Sequence, residues 1–145
     1  MKWPNDVLAG GRKIAGCLVE VVARGEQIAT FVAGIGINAN NAGLPQEVEQ
    51  VATSVLLETG APADREKLVA DLLTSFTDLL EGEPSHVLSL YREACDTIGR
   101  PVKVELAGST VEGTAAGVDE LGRLVLDSGQ TLYAGDVVHL GQKLG

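Results

Sequence analysis

Residues 14–38 read "IAGCLVEVVARGEQIATFVAGIGIN". Two runs rich in β-branched residues, 14–22 and 27–38, flank the short polar "ARGE" of 23–26, the pattern of two antiparallel strands joined by a turn. Both runs are apolar enough to be expected largely buried. The second run carries Gly34 and Gly36, so part of its surface is bare of side chains and open to close approach by a ligand. It ends at Asn38, whose amide can pair with the donor and acceptor edge of a heterocycle.

Upstream, residues 1–13 read "MKWPNDVLAGGRK". A residue before proline is driven to an extended conformation, so "KWPND" reads as a strand end that turns sharply and presents Lys2, Asn5 and Asp6 in fixed directions. Lys2 and Lys13 are then expected to meet across neighbouring strands. Two ammonium groups in one partly buried place call for an anion, a phosphate or a carboxylate.

Downstream, "NANNAGLPQEVEQ" of 38–50 concentrates Asn, Gly and Pro without an apolar face and is expected to be a mobile loop. Gly34, Gly36 and Ala39 formally fit the G-x-G-x-x-A dinucleotide fingerprint, with Glu58 near the place of a ribose-binding acid. The helix that this fingerprint requires does not follow, so the dinucleotide reading fails its own structural test.

Two helices come next. In "DREKLVADLLTSFTDLLEG", residues 64–82, Leu68, Leu72, Phe76, Leu79 and Leu80 recur at helical spacing between an Asp64 cap and a Gly82 stop. "PSHVLSLYREACDTIG", residues 84–99, repeats the pattern from Pro84 to Gly99. After Arg100 the texture changes to short alternating runs broken by Gly, Asp and Ser, the pattern of a small antiparallel barrel. Fifty residues are marginal for an independent fold, so this part is expected to dock on the helices. The boundary is set at 97/98, giving domains 1–97 and 98–145.

The 145 residues carry a net charge of −9. Residues 1–38 hold four bases against three acids, whereas the remainder holds 17 acids against 7 bases. Such a chain has no basic face for a phosphate backbone, which argues against nucleic-acid binding, and it suits a small anion held at one locally basic place. No apolar run reaches the length of a membrane span and no secretory signal is visible, so a cytoplasmic location is expected. Cys17 and Cys95 lack metal spacing and read as buried free thiols. His86 reads as a surface residue and His139 as a structural one on an edge strand.

"KWPNDV", "RKIAGCLVE" and "GIGINAN", in this order and separation, resemble the central catalytic domain of the biotin protein ligases, the biotin–[acetyl-CoA carboxylase] ligases. The helices and the small C-terminal barrel are also similar to that family. The resemblance implies an α+β fold: a partial mixed or antiparallel sheet with two packed helices, like a truncated class II aminoacyl-tRNA synthetase catalytic domain, followed by an SH3-like β-barrel. It also implies a two-step reaction in which biotin and ATP, with Mg2+, give biotinyl-5′-AMP, and a lysine of a biotin carboxyl carrier protein then attacks. That carrier would be a subunit of acetyl-CoA carboxylase or of another biotin-dependent carboxylase, and a homodimer is an assembly open to such a chain.

Carried over by resemblance, Lys13 contacts the biotin carboxylate end and the adenylate phosphate, and Lys2 flanks the phosphate. Gly16, Gly34 and Ile37 form biotin-pocket wall, and Asn5 and Asn38 contact the adenine edge. Asp6 either links a metal ion or orients the incoming lysine amine. The family's glycine- and arginine-rich "GRGRxGR" loop lies upstream of "KWPND" and is not in this sequence. The resemblance is therefore to the C-terminal portion of a ligase, and the chain alone is expected to be inactive. A non-catalytic adaptor whose barrel binds a carrier protein is the alternative.

Overall fold

The structure, a computed structural model, describes residues 1–25 and 27–141, without the side chains of residues 24, 27 and 28. The chain divides into two compact units, Asn5–Ala63 and a second made of Met1–Pro4 with Asp64–Gly145.

In the first unit, β1 (Asp6–Ala9), β2 (Arg12–Arg24) and β3 (Gln27–Ile37) form a three-stranded antiparallel sheet in the order β1-β2-β3. Gly10 and Gly11 close the β1–β2 hairpin at φ +55 and +80, a two-residue turn that needs positive φ at both positions. The β2–β3 pairing runs from Ala15↔Ile37 to Arg24↔Gln27. The hairpin expected from 14–38 is thus present, although residue 26 of its turn lies outside the described residues.

Its expected burial is not found. Leu18, Val19, Val21 and Phe31 are 61%, 55%, 55% and 63% exposed. The four residues of β1 pair with only the first part of β2, and beyond Gly16 the described side chains of the two long strands are largely exposed.

The segment after β3 also departs from expectation, because its two ends are fixed. Asn38 N donates to Ile14 O at 2.9 Å. The Asn40 amide clasps residue 63 in both directions, donating to Ala63 O and accepting from Ala63 N. Ala39 is buried. Residues 45–52 wind into turns with Val51 N and Ala52 N both bonded to Val48 O, so the asparagine-rich composition supplies anchors. A short helix, α1 (Val55–Thr59), follows that the sequence reading did not anticipate. Ser54 caps it by accepting from Leu57 N, and Gly60 ends it at φ +73 with its N–H on Leu56 O.

In the second unit, α2 (Arg65–Glu81) lies between the expected caps, with Asp64 accepting from Glu66 N and Lys67 N and with Gly82 at its end. α3 (Pro84–Ala94) has Pro84 in its first turn but stops at Cys95, not Gly99; residues 96–99 form a turn that leads to Gly99 at φ +83. Five strands follow: β4 (Pro101–Leu106), β5 (Ser109–Val118), β6 (Leu124–Leu126), β7 (Thr131–Leu132) and β8 (Asp136–His139). They form one antiparallel sheet in the order β7-β6-β5-β4-β8.

The core of this unit consists of Val102, Val104, Ala115, Val118, Leu124, Leu126, Leu132 and Val137, together with Trp3 and Cys95. Alternation explains the choice: in β4, Val102 and Val104 are fully buried while Pro101 and Glu105 face out. Leu88, Tyr91 and Ile98 pack against this cluster, and Arg92 Nε donates to Val118 O at 2.7 Å. α2, α3 and the sheet belong to one unit.

Candidate functional site

The first turn of the β1–β2 pair decides the chemistry of the first unit. The register pairs Val7 with Ala15 but Leu8 with Lys13, which leaves Ile14 as an extra residue, a β-bulge. Strict alternation would send Lys13 to the face opposite Gly16. The bulge reverses its direction, and Lys13 Nζ lies 2.5 Å from Asp6 Oδ1 beside Gly16. Lys2 lies outside β1, so the β1–β2 register does not itself pair it with Lys13. The residue opposite Lys13 is Leu8, and its charge partner in the first unit is Asp6, one-sixth exposed.

Gly16 is what makes room for this pair. A Cβ there would stand 3.1 Å from Lys13 Cε, 3.2 Å from Lys13 Nζ and 3.4 Å from Asp6 Oδ1. The backbone of Lys13 is held as well, its N donating to Val51 O and its O accepting from Thr53 N, both at 2.8 Å.

This pair borders a groove of about 550 Å³ lined by Asn5, Lys13, Ile14, Ala15, Gly16, Cys17, Leu18, Gly34, Gly36, Ile37 and Asn38. Gly16 stands opposite Gly36, and Leu18 opposite Gly34. A Cβ on Gly36 would meet nothing within 4 Å, and one on Gly34 only Leu18 O at 3.8 Å. The glycines leave groove floor open. Asn5 and Asn38 are fixed at its edge, with Asn5 Nδ2 on Cys17 O at 2.5 Å and Asn38 Nδ2 on Thr53 O at 3.0 Å. Each amide keeps one N–H and its oxygen for other partners.

Lys13, Gly16, Gly34, Ile37, Asn5 and Asn38 therefore share one concavity, and Asp6 is bonded to Lys13. Lys2 stands in the other unit. Among the described residues no three His, Cys, Asp or Glu side chains gather as metal ligands. Cys95 is buried as expected, whereas Cys17 is half-buried on the groove wall.

The sequence reading missed a supporting cluster. Glu58 Oε1 accepts from Thr53 Oγ1 at 2.6 Å and pairs with Arg12 Nη2 at 2.7 Å. The Thr53 hydroxyl, with help from Arg12 and against the effect of burial, holds the Glu58 carboxyl below the usual carboxylate range. The sequence marks Glu58 only as a possible ribose ligand; in the structure it ties α1 to the start of β2. The Ser54 cap and the Gly60 stop were the available signals for the helix that carries it.

Residues 1–38 match the Biotin/lipoate A/B protein ligase family, and residues 97–140 match the Biotin protein ligase C terminal domain. A Biotin--[acetyl-CoA-carboxylase] ligase of Mycobacterium tuberculosis is 41% identical over 147 residues, which is 97% of this chain and 53% of that protein. The ligase of the same name from Paracoccus denitrificans is 33% identical, with 87% of this chain and 55% of that protein aligned. Among solved structures, the biotin protein ligase from Aquifex aeolicus in complex with biotin and ATP superposes with a TM-score of 0.78 at 25% identity, covering 95% of this chain and 60% of that one. The chain spans about half the length of the curated relatives it matches. Among the described residues no helix is long and apolar enough to cross a membrane.

Proposed function

We propose that this chain, which belongs to the biotin protein ligase family, supplies part of the site at which biotin is joined to a carrier lysine through biotinyl-5′-AMP. The observation that carries the reading is the Lys13–Asp6 pair fixed beside Gly16 in a glycine-floored groove. Gly16, Gly34 and Ile37 would take the biotin end, and Asn5 and Asn38 the adenine edge. Lys13 would face the carboxylate and the phosphate, and Lys2 the phosphate.

The physical sense follows from charge. Two anions, a carboxylate and a phosphate, must approach before the anhydride forms, and an ammonium already in position screens their repulsion without reorganising. Asp6 directs Lys13 through their ion pair. ATP is the expected nucleotide, and Mg2+ is compatible with a single protein carboxylate, since that ion takes most of its remaining ligands from phosphate and water. Asp6 would be that carboxylate, or it would orient the acceptor amine. The acceptor belongs to a biotin carboxyl carrier protein.

The finer architecture is part of the same proposal: residues 1–97 as a portion of a synthetase-like catalytic domain, and 98–145 as an SH3-like barrel, in a cytoplasmic protein. Activity is proposed to need residues that this sequence does not contain, because several charge-assisted contacts of roughly 1.5–3 kcal/mol each come from the family's arginine loop. The test joins the chain to the upstream region of the Mycobacterium relative and follows biotin transfer to a carrier domain. Transfer that depends on ATP and collapses with Lys13→Ala is expected. A joined protein that folds, binds no biotin and transfers none overturns the reading.

A further inference from the structure

Trp3 N donates to Thr97 Oγ1 at 2.9 Å across 94 positions of sequence. Thr97 is fully buried, and its oxygen has one further partner, His139 Nε2 at 3.1 Å. A threonine hydroxyl has one hydrogen to give. The oxygen can accept twice, so the Trp3 N–H leaves the direction of the second contact open; among the described residues His139 Nε2 is the acceptor at hand for the buried Thr97 hydrogen, and giving it that hydrogen corresponds to a neutral ring with its proton on Nδ1, on the side of Asp96 Oδ2 at 3.9 Å. The His139 side chain is 3% exposed.

We propose that Thr97 and His139 are positioning residues for Lys2. The Thr97 hydroxyl holds the amide that follows Lys2, and His139 holds the Thr97 hydroxyl, so the direction of Lys2 is set from the last strand of the C-terminal sheet. Neighbouring contacts fix the rest of the segment: Asp96 N donates to Met1 O, Trp3 Nε1 to Gly122 O, and Tyr91 Oη to Pro4 O. The Thr97 link is the one that includes an imidazole, that of His139. The charged groups that act on His139 are Arg100 and Lys2, which oppose its protonation, and Asp96, which favours it. Arg100 is itself paired to Asp96 at 2.6 Å, which weakens the pull of Asp96 on a protonated ring. The largest cause of the preference for the neutral ring is burial.

Protonation would convert Nε2 from an acceptor to a donor. The Thr97 oxygen would then receive two hydrogens, its own hydrogen would have no acceptor, and the hold on Trp3 would weaken. The C-terminal sheet thereby reports acid to the segment that carries Lys2. The link to chemistry rests on the phosphate role given to Lys2 above; the link from His139 to Trp3 does not.

The test uses the 145-residue chain, whose single tryptophan is Trp3. Protection of the Trp3 amide against hydrogen exchange, corrected for intrinsic rate, and Trp3 fluorescence are followed from pH 8 to 5 beside the His139 ring resonance. Protection is expected to fall at least tenfold with the midpoint of His139. Thr97→Ser keeps this behaviour, Thr97→Val loses the protection at every pH, and His139→Gln removes the acid step. An acid step that survives in His139→Gln at the same midpoint overturns the proposal, as does full protection in Thr97→Val. Should Thr97→Val fail to fold, His139→Gln still decides.

The position of Lys2 is read from its 13C-methylated amine, identified by its loss in Lys2→Arg. That signal is expected to shift toward the free-lysine position in Thr97→Val, or across the acid step if that variant does not fold. An unmoved signal means that Lys2 is not positioned this way. If the link holds and the signal shifts but Lys2→Ala leaves adenylate formation in the joined protein unchanged, the phosphate role of Lys2 fails and the coupling stands.

Discussion

Lys13 Nζ stands 2.5 Å from Asp6 Oδ1, and both press on the space where Gly16 has no side chain. The pair therefore depends on a backbone feature, the bulge at Ile14, and on the absence of a single methyl group. Each can be altered separately.

Gly16→Ala is expected to leave the fold intact, because the atoms a Cβ would meet at 3.1 and 3.2 Å belong to the flexible end of Lys13. Lys13 must give by a few tenths of an ångström, which moves its ammonium from the place it holds beside Asp6, so affinity of the joined protein for a non-hydrolysable biotinyl-adenylate analogue should fall at least tenfold. Gly36→Ala is the companion, since its Cβ would meet nothing within 4 Å in the empty groove. It should be neutral for stability and weaken the ligand by filling floor. Calorimetric titration and thermal melts of both variants check the division.

Asp6→Asn removes the partner of Lys13 while preserving shape. Lys13 is about half exposed, 49% by side chain, so the loss of stability should stay under about 1 kcal/mol. The effect on adenylate formation should be larger, about 10- to 100-fold, because an undirected ammonium is no longer placed where charge develops. Single-turnover rates compared with urea unfolding distinguish the two magnitudes.

Gly135→Ala should damage the second unit severely. At φ +151 a Cβ would stand 2.6 Å from Val104 Cγ1 and 3.0 Å from Glu105 O, against a core valine and a fixed carbonyl. Overpacking of this kind costs about 1–3 kcal/mol, and the strained φ adds to it. The contrast with Gly16→Ala, where the obstacle is a mobile side chain, is the point of the comparison. A thermal melt that matches the unaltered chain would refute it.

Stability of the second unit should decline in weak acid through His139. Burial, then Arg100, lower its folded pKa below the ordinary 6.5, with Asp96 acting the other way. The unfolded chain then binds the proton more readily, so the contribution is complete above about pH 6.5 and is lost as pH falls from there toward the folded value. Urea midpoints measured at pH 7.5 and 5.5 should differ in the unaltered chain and converge in His139→Gln. Equal sensitivity in both would assign the acid effect to other groups.

The sequence by itself determined those features whose cause is local. Alternating β-branched runs around residues 23–26 specify the β2–β3 hairpin, Asp64 and Gly82 bound α2 through their own backbone contacts, and the valines of β4 turn inward by the two-residue period. The candidate groove was legible to the same degree, because glycines at alternate positions lie on one strand and an asparagine follows directly after it. Only the tertiary structure decided what depends on partners distant in sequence. The direction of Lys13 follows from a bulge, which no periodicity encodes, since one unpaired residue moves a side chain to the opposite face. Asparagines that composition assigned to a mobile loop became anchors once Ala63 and Thr53 were brought beside them. Leu18 and Phe31 are apolar and exposed because burial requires a covering layer as well as an apolar side chain. Trp3, Thr97 and His139 join three segments through one hydroxyl, and a hydrogen bond spanning 94 positions leaves no trace in the local pattern of any of them.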